Sequence, residues 1–228
     1  MNREIPKPNL LGVGLVVLSW FVILEFVPYL NRLFDFRRLN ENIIPAVRMT
    51  LMFLATYAYV SRIEKKSFAA GFNFSFRKIG KNIIWAFIFS WIALAVLAGY
   101  QFLIVRPLAS KTVEASAAAS EGVSEVFSER LIVYVYVVYE GIIEVLIFIG
   151  FLLDRLAIRW GWAGALAVGN LCFALWHYGY WRNGLLEGTL MVVLTFMAGV
   201  IISLSYLKTK NSLSPTICHF LVDSPMAI

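Results

Sequence analysis

Residues 140–150 read Glu140-Gly-Ile-Ile-Glu144-Val-Leu-Ile-Phe-Ile-Gly150, so two carboxylates lie inside a long apolar stretch. An ionisable side chain at the centre of a membrane helix costs roughly 2.5–3.5 kcal/mol on insertion scales, and such residues usually face a bundle interior or a wet cavity. Two histidines, His177 and His219, lie in two further apolar stretches. A carboxylate and two imidazoles on three separate hydrophobic segments predict a catalytic site built within the bilayer.

The composition indicates an integral membrane protein. Of the 228 residues, 60% are hydrophobic and 15% are charged, whereas a soluble domain has about 45–50% apolar and about 25% charged residues. The net charge of +6 comes mostly from short loops, which indicates membrane topology and not a nucleic-acid partner. No Ala-x-Ala cleavage site follows the first apolar run, which favours a retained span. We expect a multi-pass protein of the cell membrane, embedded in the lipid bilayer.

Seven apolar segments predict an all-α, polytopic helical bundle that forms a single membrane domain over residues 1–228. A helix needs about 20 apolar residues to cross a ~30 Å core, so the fifth segment is short and the seventh is shorter still. We expect the seventh to be partial, or the natural chain to continue beyond it. The segments are Leu10–Leu30, Ile43–Val60, Ile83–Val105, Leu131–Leu153, Trp162–Tyr178, Leu185–Leu207 and Leu213–Ile228.

The basic residues favour an N-terminus on the cytoplasmic side, because the loops on that side then hold 12 of them and the opposite loops hold 7. The connector Ser61–Asn82 is basic with spaced phenylalanines, which predicts either a cytoplasmic interfacial segment or a plain solvated loop. Pro107–Glu129 is rich in Ala, Ser and Glu and predicts a mobile or partly helical external loop.

Counting residues predicts that Glu144 and His177 lie at one depth. Glu144 is 17 residues before Gly161 and His177 is 16 residues after it, so both are ~25 Å from a turn placed at that glycine. His219 fits less well, because it is only ~12 Å beyond the preceding loop along a helix. We expect the stretch Lys208–Pro215 to run inward in extended form and close this gap.

Two further carboxylates accompany these groups. Pro215 suits the first turn of a helix, which would place His219 and Asp223 on one helical face. Glu140 lies one turn before Glu144, and two carboxylates so close in a low dielectric favour a shared proton and general-base chemistry. The alternative for both glutamates is hydrogen bonding between neighbouring helices, and for the His219 pair it is capping or packing.

These residues resemble the CAAX-processing protease and bacteriocin-immunity family of intramembrane peptidases, also called CPBP or ABI proteins. Its pattern is Glu-Glu-x-x-x-Arg, then Phe-x-x-x-His, then His-x-x-x-Asn or Asp, on successive helices. Phe173 with His177 keeps the second motif, and His219 with Asp223 keeps the third. The resemblance covers residues 131–223. In the first motif Glu144 is kept, while two apolar residues replace the second glutamate and the arginine.

The resemblance implies that Glu144 and His177 activate a water for attack on a peptide carbonyl, while His219 and Asp223 stabilise the oxyanion or position the substrate. The two departures, Val145 and Ile149, are four residues apart, a spacing suited to an ion pair. Losing both charges leaves no orphan charge in the membrane, so the fold tolerates the change while activity is an open question. Glu140 would be the candidate for the missing second carboxylate.

Three function classes compete. The leading hypothesis is an intramembrane endopeptidase acting on a membrane protein or peptide, with no cofactor and no metal. The second is a catalytically silent relative that acts as a membrane scaffold, immunity or regulatory protein. The third is a hydrolase with zinc held by Glu144, His177 and His219, although no His-Glu-x-x-His pattern is present. A transporter is disfavoured, because no repeat or pair of broken helices occurs.

Overall fold

A computed structural model of the chain describes residues 9–34, 43–109, 127–177, 180–181 and 184–223. Within those ranges the chain is helical with short turns, and no β-strand occurs. The helices are α1 (Leu10–Phe34), α2 (Ile43–Ala58), α3 (Phe68–Gly71), α4 (Ile79–Tyr100), α5 (Phe127–Glu144), α6 (Asp154–Trp176), α7 (Leu185–Thr209) and α8 (Leu213–Asp223). π-helical turns extend α2 over Tyr59–Ile63 and α4 over Gln101–Val105, and a longer π-helical stretch, Val145–Leu153, joins α5 to α6.

Five described stretches are long and apolar enough to cross a membrane, so the predicted helical membrane bundle is confirmed. The fourth stretch is 43 residues long and covers most of two predicted segments. The backbone leaves helical geometry at Gly161, with φ 68° and ψ 174°, and this kink divides the stretch in two. Glycine adopts this positive φ without steric cost. The 11 residues of α8 are too few to cross a ~30 Å core alone. The five stretches are Leu10–Val27, Ile44–Ile63, Ile79–Leu108, Tyr134–Trp176 and Leu185–Thr209.

Parts of three predicted elements lie outside the described residues. They are residues 110–126 of the expected external loop, residue 178 of the expected fifth segment and residues 224–228 of the expected last segment. The described ends of that external loop, Arg106–Ala109 and the start of α5, are helical. Of the cytoplasmic or solvated connector, residues 68–71 form the short helix α3.

The π-helical stretch Val145–Leu153 forms the centre of the bundle, and all nine of its residues are buried. It packs against α6 and α8, while α4 packs against α7 and α8. Helix α1 is attached to this core by Trp20, whose Nε1 donates to Thr56 Oγ1 at 3.0 Å and whose ring lies edge-on to Phe148 at 5.3 Å. The first apolar run is therefore an integrated part of the bundle.

The depth of α8 is set by a close backbone contact at Gly150. A Cβ atom at this glycine would lie 2.5 Å from the Phe72 carbonyl oxygen and 2.7 Å from Ser212 Oγ, so a side chain has no room. Ser212 Oγ donates to that same carbonyl, and its backbone N–H donates to the Asn73 carbonyl at 2.9 Å. The turn before α8 therefore lies at the same depth in the bundle as Gly150, which belongs to the π-helical stretch between α5 and α6.

Arg155, which the sequence assigns to a loop, is buried with 3% of its side chain exposed. Its Nε donates to Glu64 Oε1 at 2.8 Å, and its Nη2 donates to Glu64 Oε2 and to the Gly71 carbonyl. Its Nη1 donates to the Phe151 carbonyl at 2.9 Å. Burial alone would raise the pKa of Glu64, but the hydrogen bonds and charge of Arg155 outweigh it and hold this pKa below its ordinary value.

Candidate active site

Glu144 is the residue on which the site converges. It ends α5 at the start of the π-helical stretch and is 2% exposed. Trp176 Nε1 donates to its Oε1 at 3.1 Å. His219 Nε2 lies 3.3 Å from its Oε2, and His177 Nε2 lies 3.8 Å from its Oε1. The structure thus brings together the three side chains that the sequence predicted to share one site.

His177 caps the C-terminal end of α6, where the backbone turns to φ −83° and ψ 29°. Its Nδ1 lies 3.0 Å from the Phe173 carbonyl oxygen, which can only accept a hydrogen bond. Nδ1 therefore carries the hydrogen, and in the neutral ring Nε2 is an acceptor facing Glu144. Tyr180 stacks on the imidazole at 5.6 Å. The predicted equal depth of Glu144 and His177 is confirmed.

His219 lies between two carboxylates. Its Nε2 contacts Glu144, and its Nδ1 lies 3.0 Å from Asp223 Oδ2 without the geometry of a hydrogen bond. The imidazole fits because α5 has a glycine opposite it: a Cβ at Gly141 would lie 3.0 Å from His219 Nδ1. Asp223 is one turn further along α8, as predicted for a helix with Pro215 in its first turn.

The predicted route of the chain to His219 is wrong. Residues 208 and 209 are helical, and only a short turn, not an extended stretch Lys208–Pro215, precedes α8. His219 reaches Glu144 because Ser212 already lies level with Gly150. Counted from that level, His219 is seven residues away, ~10 Å, and Glu144 is six residues away, ~9 Å. The depth of His219 must therefore be counted from the level of Gly150 and not from the loop that precedes α8.

A cavity of about 410 Å³ opens on these groups and is bordered by all five predicted site residues, Glu140 included. Tyr136 hydrogen-bonds to Glu140 from one turn before it on α5. The remaining wall is mostly apolar, so these ionisable groups face a largely hydrophobic chamber. The other lining residues are Leu97, Val137, Phe173, Tyr180, Met191, Leu194, Thr195, Ala198, Ile202 and Val222.

Residues 127–224 match the family model described as Rce1-like, type II CAAX prenyl endopeptidase. This part of the chain is similar to that family. The resemblance to CAAX-processing intramembrane proteases is therefore confirmed for this region, and the apolar helices make it a membrane protein. No curated protein and no solved structure matches the chain.

The two positions where the Rce1-like region departs from the family motif lie behind the site. Val145 and Ile149 are 1% and 5% exposed, and both border a cavity of about 10 Å³. Glu144 and His219 also border this small cavity, but neither Val145 nor Ile149 borders the large one. The apolar replacements therefore lie against the back of the polar cluster and do not border the large cavity.

Sequence reasoning missed three residues of this site. Trp176 directly precedes His177 and holds Glu144 Oε1, and Tyr180 is three residues after His177 and stacks on it. Their position beside a motif histidine was the signal that could have identified them. Gly141 lies in a helix interior beside Glu140, where a glycine is costly relative to alanine, and its role becomes clear only from its contact with α8.

Metal-ligand geometry is absent from the part of the chain that the structure describes, where no group of three or more His, Cys, Asp or Glu residues could hold a metal ion. Glu144, His177 and His219 meet in pairwise contacts around the carboxylate instead. The expectation that activity requires no metal stays a prediction.

Proposed function

We propose that the chain is an intramembrane endopeptidase that cleaves a membrane-associated protein or peptide with a water activated by Glu144 and His177. The observation that carries this proposal is the convergence of both residues, with His219, on a cavity of about 410 Å³ with mostly apolar walls. Ionisable groups at membrane depth are costly. A chamber that exposes them to its interior is suited to chemistry on a bound segment.

The geometry supports activation of a water between Glu144 and His177. His177 Nε2 and Glu144 Oε1 are 3.8 Å apart, which is too far for a direct hydrogen bond. A water in the cavity can therefore hydrogen-bond to both atoms. The carboxylate and the unprotonated Nε2 of His177 both accept hydrogen bonds. As the water oxygen attacks the peptide carbonyl, its proton passes to one of these acceptors, and the protonated group can later donate it to the leaving amine.

His219 and Asp223 are proposed to stabilise the oxyanion and to orient the site. A protonated His219 would be stabilised by the carboxylates on either side, Glu144 and Asp223. With both ring nitrogens facing carboxylates, its proposed contribution is its positive charge, which borders the cavity where an oxyanion would develop. An ionised Asp223 accepts but cannot donate, so its proposed role is to position His219. Glu140, on the same cavity wall, is proposed as the second carboxylate.

The experiment is cleavage of an internally quenched, farnesylated CAAX-type peptide by the full chain in proteoliposomes. Glu144→Gln keeps the side-chain shape but removes the base, and we expect the rate to fall about 10²–10⁴-fold with the fold retained. The matched control is Glu25→Gln, which makes the same change at an exposed position of α1 away from the cavity. Equal rates for Glu144→Gln and the native chain would refute the proposal.

A second candidate, a catalytically silent scaffold or regulator, is favoured by one observation: Val145 and Ile149 are apolar where the family has a glutamate and an arginine. Complementation in cells separates the two candidates. If Glu144→Gln and His177→Ala leave the phenotype unchanged while the protein is still made, the scaffold is correct and the peptidase is not.

A further inference from the structure

A second cavity, of about 540 Å³, lies at the other end of the bundle from the site. It is formed between the connector Ala69–Asn82, which includes the first turn of α4, and the turn Thr209–Asn211 after α7. We call it the basic pocket. Both walls belong to loops that the charge distribution assigns to the cytoplasmic side.

Among the residues that the structure describes, four cationic side chains line the basic pocket and no carboxylate does. They are Arg77, Lys78, Lys81 and Lys210. Asp154 acts electrostatically on Lys210, but its carboxylate accepts a hydrogen bond from Tyr206 Oη at 3.0 Å and is not part of the lining. The described lining of the pocket therefore carries a net positive charge.

The walls of the pocket are held rigidly. Asn211 Oδ1 accepts from the Ser75 backbone N–H at 3.0 Å, and Asn211 Nδ2 donates to the Ser75 carbonyl. Asn82 Nδ2 donates to the Arg77 carbonyl at 3.1 Å. A loop with only a solvated role needs no such cross-links, so the concave shape is a fixed property of the fold.

The backbone around the pocket is unusual as well. Three of its lining residues, Asn73, Lys78 and Lys210, have positive φ values of 51°, 55° and 52°. Non-glycine residues rarely adopt this conformation, and it clusters where a surrounding structure enforces it, often at ligand sites. The Lys210 ammonium is further fixed 3.3 Å above the Trp162 ring.

Two exposed apolar residues, which we call the apolar rim, adjoin pocket-lining residues in the chain. Phe76 is 69% and Ile79 is 50% exposed, on either side of the cationic pair Arg77 and Lys78. Exposed apolar side chains beside cations are typical of the membrane interface, where the former enter the acyl region and the latter meet headgroups. A soluble inorganic anion has no apolar part that could contact these side chains.

We propose that the basic pocket binds the phosphate headgroup of an anionic phospholipid, with the acyl chains along the apolar rim. The cations attract the phosphate, and the positive end of the α4 helix dipole lies at the same pocket. This site is independent of the peptidase proposal, because none of its residues borders the cavity at Glu144.

The test is retention of lipid by the full chain in native mass spectrometry, from micelles holding either phosphatidylglycerol or phosphatidylcholine. The variant Arg77→Gln/Lys78→Gln/Lys81→Gln removes three pocket cations. The matched control, Arg62→Gln/Lys65→Gln/Arg159→Gln, removes three exposed cations that do not line the pocket. At about fivefold per cation, we expect the affinity for phosphatidylglycerol to fall roughly a hundredfold in the first variant and little in the second.

Three results would overturn the proposal: equal losses in both triple variants, equal retention of phosphatidylcholine by the native chain, or displacement of phosphatidylglycerol by inorganic phosphate at equal concentration. The last would show a site for the free ion. If the pocket triple does not fold, Lys81→Gln decides, with an expected loss of about fivefold. No loss in that variant counts against the site.

Discussion

The buried ion pair between Arg155 and Glu64 gives the sharpest prediction on stability. Glu64→Gln leaves the guanidinium, 3% exposed, without a counter-charge, and removal of one partner from a buried pair costs about 3–5 kcal/mol. Arg155→Met is expected to cost less, about 1–3 kcal/mol, because Glu64 is 11% exposed and keeps Lys66 Nζ at 3.2 Å. Titration of the full chain with SDS from mixed micelles, followed by far-ultraviolet circular dichroism, measures the free energy of unfolding.

The double variant Glu64→Gln/Arg155→Met tests the pair itself. Both changes remove the same interaction. We therefore expect the loss of unfolding free energy in the double variant to be smaller than the sum of the two single losses by more than about 1 kcal/mol. Additivity within about 0.5 kcal/mol would refute a coupled pair.

The same pair predicts a pH dependence. The pKa of Glu64 is lower in the folded chain than its ordinary value. Its contribution is therefore fully present above the unfolded pKa of about 4.3 and is lost as the pH falls through the folded pKa. We expect the stability gap between the native chain and Glu64→Gln to be constant near neutral pH and to shrink below about pH 4. A gap that stays constant in acid would show that the carboxylate charge is not involved.

Three further predictions concern the site. Gly141→Ala places a Cβ 3.0 Å from His219 Nδ1, so the ring must move and the cleavage rate should fall up to about 10²-fold; an unchanged rate in the peptide assay would contradict this. Val145→Glu with Ile149→Arg should give more folded protein than either single change, because a lone charge there is buried; equal yields from singles and double would be inconsistent with a self-neutralising pair. Chelators should leave cleavage intact, and stoichiometric zinc by elemental analysis would show otherwise.

The depth match of Glu144 and His177 could be predicted because it depends on one local feature. Gly161 has the positive φ that ends one helix and begins the next, and two antiparallel helices then align residues by simple counting. The sequence carries both the glycine and the count, so this part of the site followed from the chain alone.

The position of His219 could not be predicted in the same way. It depends on the hydrogen bond from Ser212 Oγ to the Phe72 carbonyl, 140 residues away in sequence. It also depends on Gly150, whose lack of a side chain leaves room for both groups. No local pattern encodes such a contact. Arg155 shows the same limit, since a cation counted as a loop residue pairs with a carboxylate 91 residues away.

The first motif, in which Val145 and Ile149 are apolar, bears on the choice between a peptidase and a scaffold. Val145 and Ile149 border only the space of about 10 Å³ behind Glu144, while Glu140 borders the large cavity with Glu144 itself. A glutamate and an arginine at the two altered positions would therefore act on Glu144 from behind, through its electrostatics and not through contact with a substrate. In the proposed mechanism their loss would change how strongly Glu144 acts as a base, while the large cavity keeps its carboxylates and both imidazoles. The proposed peptidase requires a cavity bordered by these side chains, whereas a scaffold would act through its outer surface, so the cavity supports the peptidase proposal.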